Sequence, residues 1–143
     1  MKYVITTAWF DHTEPGYWVP TWDDPSPESP PGGLAIVTEL LIERHKSPVE
    51  RHLQAIEAPA TDALWLTGTE GVNVEVFDEV GTLKLTHNYF DEEYVRVSRA
   101  ELAGLLKWRL KQYEDGQVLD STASIDDYEI ELEVFSDNNA GNE

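Results

Sequence analysis

Tyr128-Glu129-Ile130-Glu131-Leu132-Glu133-Val134 alternates apolar and acidic residues with period two. Successive side chains of a β-strand point to opposite faces, so this spacing predicts a strand that buries Ile130 and Leu132 and shows water a row of carboxylates. The surrounding segment is purely anionic. After Lys111 the chain has no further Lys or Arg, but it carries Glu114, Asp115, Asp120, Asp126, Asp127, Glu129, Glu131, Glu133, Asp137 and Glu143.

Upstream of this strand, Ser98-Arg99-Ala100-Glu101 forms a capping box. Leu102, Leu105, Leu106, Arg109, Leu110 and Tyr113 follow at helical spacing, and Asp115-Gly116 closes the helix. Its cations Lys107, Arg109 and Lys111 fall in the last turns, where they complement the helix dipole, so they read as structural. Strands are predicted near 63–67, 72–78, 82–88 and 93–97, with Glu79-Val80-Gly81 as a hairpin turn. Ser47-Pro48-Val49-Glu50 is a second capping box with proline at the first helical position, and Val49, Leu53 and Ile56 mark one face of a short helix ending before Pro59. Residues 34–45 fit both alternation and a helical face, and a helix is favoured.

Residues 3–10 read as a first strand, and residues 11–33 as a long irregular loop holding six of the eight prolines. Tyr17, Trp18 and Trp22 lie in that loop, either folded back as a lid on the core or set to anchor a partner. The expectation is one α+β domain over residues 1–135, a mainly antiparallel sheet of about five to six strands with two or three helices. A flexible acidic tail, 136–143, would follow it.

Residues 1–33 hold five acids and one base, 34–111 thirteen and nine, and 112–143 ten and none; these differences of −4, −4 and −10 make up the net −18. Such a charge repels nucleic acid and anionic membrane and favours either a basic partner or a saline solvent. With no cysteine there are no disulfides, no thiol nucleophile and no Cys-ligated zinc. The apolar run at 3–10 is too short for a signal peptide and no run approaches 18 residues, so a cytoplasmic protein is expected.

No catalytic motif emerges, and no cofactor or metal site is expected. His45 and His52 repeat in Glu43-Arg44-His45 and Glu50-Arg51-His52, but Ser47-Pro48 interrupts the helix between them, and both read as solvated helix surface. His12 and Glu14, with Asp23 and Asp24, lack the glycine turn and bidentate Glu of an EF-hand. Gly32-Gly33 and Gly68 to Gly71 lack the Lys-Ser/Thr of a phosphate loop, and no serine sits in a nucleophile elbow. Glu129 and Glu131 would stand about 6.6–7 Å apart, but every acidic strand gives that spacing.

A small acidic domain without active-site motifs, with clustered carboxylates and a few aromatics, shares its general character with inhibitors of basic nucleases, including toxin-immunity proteins and nucleic-acid mimics. A nuclease must be basic to hold phosphates, and fixed carboxylates in its groove compete with substrate. The expectation is therefore a non-catalytic inhibitor of a basic protein, most plausibly a nuclease-type or nucleic-acid-modifying toxin. It would bind through Asp127, Glu129, Glu131 and Glu133, through Asp91, Glu92 and Glu93, and through Trp18 and Trp22 as apolar anchors. The alternatives are a structural or adaptor domain whose acidity serves solubility or salt tolerance, and a cation-dependent enzyme using the proline-rich loop.

Overall fold

The computed structural model describes residues 2–23, 32–57, 65–77, 81–88 and 93–136. In chain order its elements are β1 (Lys2–Phe10), β2 (Tyr17–Asp23), α1 (Gly32–Glu39), α2 (Lys46–Glu57), β3 (Trp65–Gly68), β4 (Val72–Val76), β5 (Thr82–His87), β6 (Glu93–Ser98), α3 (Arg99–Glu114) and β7 (Tyr128–Ser136). The strands form one seven-stranded antiparallel sheet in the order β2-β1-β7-β6-β5-β4-β3. The architecture is thus the expected α+β, with slightly more strands than anticipated.

Alternation decides which face is dry. Ile5, Ile130, Leu132, Val95, Val97, Leu83, Leu85, Val72 and Val74 are all buried and share one side of the sheet by register. The helices, with Leu40 in the turn after α1, cover that side with Leu34, Val37, Val49, Ile56, Leu102, Leu105 and Leu106, giving one continuous core. Each such aliphatic side chain contributes about 1.5–3 kcal/mol by leaving water. α3 starts as its capping box requires, with Ser98 Oγ accepting from the Glu101 N–H at 3.1 Å. It ends where Gly116 adopts φ +71°, a left-handed conformation that glycine adopts without a steric penalty.

The proline-rich segment departs from expectation. Tyr17–Asp23 is a strand, not irregular loop, because it pairs along β1 from Phe10↔Tyr17 to Val4↔Asp23. Its Pro20 is tolerated because β2 is an edge strand, with no further strand among the described residues to receive its missing N–H. α1 is shorter than the expected 34–45 and stops at Glu39. The carbonyls beyond it are taken by other donors: Arg109 binds the Leu41 and Glu43 oxygens, and the Tyr113 hydroxyl also donates to Glu43 O. α2 begins at Lys46, one residue before the expected cap.

Two polar residues are more deeply buried than the sequence suggested. His52 is 4% exposed, not solvated, and its Nδ1 lies 2.8 Å from Thr67 Oγ1. Arg109 is 0% exposed, so its role is to bind carbonyls inside the protein and not to complement the end of the α3 dipole. Of the predicted turn Glu79-Val80-Gly81 only Gly81 is among the described residues, and of the expected tail 136–143 only Ser136, which ends β7. No helix among the described residues is long and apolar enough to cross a membrane.

Candidate functional site

The face of the sheet opposite the core carries no described helix, since α1, α2 and α3 all pack on the dry side. The alternation of β7 places Glu129, Glu131 and Glu133 on this open face, all exposed, while Ile130 and Leu132 are buried beneath them. β7 is an interior strand, paired with β1 on one side and β6 on the other. Residues 128–131 pair with β1 and 132–136 with β6, so neither edge is free along the whole strand, and its outward side chains are the continuous recognition surface.

The carboxylate row has cross-strand neighbours that a single strand's sequence does not show. Lys2 stands beside it and pairs with Glu129 at 3.4 Å, Arg96 lies opposite Glu133, and Lys84 lies between Arg96 and Glu75. Counting these open-face residues, four acids (Glu75, Glu129, Glu131, Glu133) face three bases (Lys2, Lys84, Arg96), a local balance of −1. The anionic row is therefore a band bordering a second, aromatic and cationic band.

That second band was not anticipated. Tyr94 and Phe135 are opposite each other across β6 and β7 and stack at 5.1 Å with 14° between planes. The Arg96 guanidinium lies 4.0 Å from the centre of the Phe77 ring and 4.3 Å from that of Phe135, and Lys84 Nζ lies 4.6 Å from Tyr94. These cations spend their charge on ring faces within the protein. Phe77 is 40% exposed, and Trp65, opposite Glu75 on edge strand β3, is 54% exposed. The signal was in the sequence: the period that places Glu129, Glu131 and Glu133 outward also places Phe135 outward, and Tyr94 and Arg96 alternate with the buried Val95 and Val97.

Where the two bands meet, a groove of about 380 Å³ is lined by Phe77, Arg96, Ser98, Glu101, Glu131 and Glu133. It forms because β6 leaves the sheet at Ser98 to start α3. In that gap Glu101 accepts from the Glu131 backbone N–H at 3.4 Å.

The remaining expected site residues are scattered. Asp127 is exposed in the loop before β7, adjoining the acidic row. Glu93 opens β6 but shares the register of Val95 and Val97, so the structure does not bring it to the Glu129–Glu133 row. Asp91 and Glu92 lie outside the described residues. Trp18 and Trp22 are half-buried in β2. Trp22 Nε1 donates to Leu34 O at 2.9 Å and to Thr38 Oγ1 at 2.8 Å, while Trp18 Nε1 donates to Asp120 O at 2.7 Å and its ring meets Trp9 edge-on at 5.5 Å. Both indoles therefore hold the β1–β2 hairpin to the body of the protein.

Among the described residues no group of three or more His, Asp or Glu side chains is placed to hold a metal ion. His12 and Glu14 are exposed in the turn after β1, and Asp24 lies outside the described residues. No protein-family model, curated protein or solved structure matches this chain.

Proposed function

We propose that this protein is a non-catalytic binding protein that docks a basic protein on the open face of its sheet. The observation that supports this reading is the exposed row Glu129, Glu131 and Glu133, regularly spaced on an interior strand, with exposed Phe77 across the groove from it and exposed Trp65 further along the same face on β3. The net charge of −18 supplies long-range attraction for a cationic partner. The carboxylate band then fixes orientation, and the aromatic band supplies the apolar anchor that charge alone does not give.

The aromatic role moves from Trp18 and Trp22, which are engaged inside the protein, to the open face. In its finer form the proposal is an immunity-type inhibitor, its partner a nuclease or nucleic-acid-modifying toxin whose phosphate-binding groove is the cationic surface that such a band would fill. The test is affinity capture from the source cells with the wild-type protein and with a Glu131→Lys/Glu133→Lys variant, followed by nuclease assay of what is retained. The expected result is a basic protein held by the wild type at low salt and lost by the variant, with its nuclease activity suppressed in the complex. Equal retention by both proteins would remove the open face from the account, and unaffected nuclease activity would remove the inhibitor role.

A further inference from the structure

Trp65 is the most exposed large hydrophobic side chain among the described residues, at 54%. A β-bulge sets its direction. The register of β3 on β4 shifts between Trp65 and Thr67, so Leu66 and Thr67 are both buried while Trp65 turns outward. Bulges at sheet edges re-aim single side chains in this way.

The exposed indole is also held in place. Trp65 Nε1 donates to Asn73 Oδ1 at 3.0 Å, Asn73 Nδ2 donates to Asn88 Oδ1 at 2.5 Å, and Asn88 Nδ2 donates to Glu70 O at 2.9 Å. Three surface side chains thus form one relay anchored to the backbone, and their freedom is spent before any ligand arrives. An asparagine amide carries two N–H donors and an oxygen with two lone pairs, so the relay leaves a donor and an acceptor position unused on each amide. Thr86 lies opposite Asn73 across β4 and β5, beside buried Leu85 and His87, and so faces outward with it. Trp65, Asn73, Thr86 and Asn88 make a corner of one aromatic ring beside hydroxyl and amide groups, and none of the four is ionised. In a chain of net charge −18 that neutrality bears on the ligand class. Anions are repelled from the molecule as a whole, and a cation finds its carboxylates on β7.

We propose that this corner binds a neutral saccharide. One face of a pyranose is a layer of C–H bonds, which packs on an indole, and its rim carries adjacent hydroxyls that each donate and accept. The unused donor and acceptor of an asparagine amide match such a pair of hydroxyls. An aromatic surface with a few convergent polar groups is the usual composition of a small-molecule site. A nucleobase would also stack on the ring, but in nucleic acid it comes with phosphates that this charge repels. The corner shares Trp65 with the face assigned to the basic partner, yet the proposal stands without that partner, because Asn73, Thr86 and Asn88 have no part in the earlier reading.

The test is a titration of the full-length protein, followed by amide and indole chemical shifts, with the methyl β-glycosides of glucose, galactose and N-acetylglucosamine, and with adenosine as the competing class. At least one glycoside should give saturating shifts confined to the Trp65 indole, Asn73, Thr86 and Asn88, with a dissociation constant of about 1 mM, as the few atoms of one sugar ring allow. Because the ligand is neutral, its affinity should not change with salt. Trp65→Ala should abolish saturation, while Trp65→Phe, which keeps a ring, should retain part of the binding. Asn88→Ala should weaken binding about fivefold, the value of one hydrogen bond. Trp65 and Asn88 are exposed, so the variants keep the fold for comparison. Shifts that never saturate with any of the three glycosides, shifts that persist unchanged in Trp65→Ala, or adenosine binding more tightly than every glycoside would overturn the proposal.

Discussion

Replacing Arg109 with methionine should destabilise the protein severely although it removes a buried charge. Arg109 Nε donates to Leu41 O at 2.9 Å, Nη1 to Gln112 Oε1 at 2.8 Å, and Nη2 to Trp18 O at 2.9 Å with a longer contact to Glu43 O at 3.5 Å. The guanidinium therefore joins α3 to the edge strand β2 and to the segment after α1. Burial pushes its pKa down from the usual arginine value, so the charge itself is held at some cost. Methionine would fill similar space and release that cost, but it would strand the Leu41 and Trp18 carbonyls, at about 1–3 kcal/mol each. With the remaining bonds and the partial relief from desolvation, the net loss should be about 3–4 kcal/mol. For a chain of this size that corresponds to a fall of roughly 10–15 °C in melting temperature. Thermal unfolding followed by circular dichroism and by indole fluorescence, which reports on Trp18, provides the assay. Arg109→Lys should recover only part of the loss, because an ammonium cannot span the same fork of acceptors. The exposed control Lys111→Met, which breaks only the pair with Asp115, should melt near the wild type. An Arg109→Met protein that melts alongside that control would refute the clamp.

Trp18→Ala and Trp22→Ala should each cost about 2–4 kcal/mol of stability, measured by denaturant unfolding, while leaving the affinity of the folded protein for its partner unchanged. A loss of affinity without a loss of stability would return these residues to the interface. Stability should also depend on pH through His52, whose pKa is held below the ordinary 6.5 by burial and, secondarily, by the neighbouring Arg51 cation. The unfolded chain takes up this proton first, so the contribution is fully present above about pH 6.5 and is lost as pH falls through the lower folded value. The drop in melting temperature between pH 7.5 and pH 5.5 should be smaller in His52→Gln, and an unchanged drop would exclude this histidine as its source. Gly116→Ala, which forces a side chain into φ +71°, should lower stability by about 1 kcal/mol in the same unfolding assay.

Much of this fold was legible because local signals and tertiary packing agree. The Ser98 cap, the apolar face of α3 and the period-two pattern of β7 each specify an element whose burial the rest of the molecule then satisfies. The hairpin partner β2 was not legible, since Pro20 and the surrounding prolines argue against a strand until β2 is known to lie at a sheet edge. His52 was misjudged for a related reason: a polar residue at an apolar spacing reads as surface, and only the tertiary arrangement reveals the hydroxyl beside it. Arg109 was legible as structural on the apolar face of α3, but the carbonyls it binds come from distant segments and were not. At the candidate site, the outward direction of Glu129, Glu131 and Glu133 followed from alternation alone. Their neighbours did not, because Lys2, Arg96 and Phe77 meet them through strand order and register, which pair residues distant in the chain.

The central claim is that the open face of the sheet binds a basic protein, with carboxylates guiding approach and aromatics retaining the partner. Its most direct test is the association and dissociation kinetics of the captured partner with the wild type, with Glu129→Lys/Glu133→Lys and with Trp65→Ala/Phe77→Ala, each over a range of salt. The charge variant should associate about tenfold more slowly at low salt and converge with the wild type at high salt, with dissociation little altered. The aromatic variant should show the reverse, near-normal association and faster release. Wild-type kinetics in both variants at every salt concentration would contradict the assignment of this face.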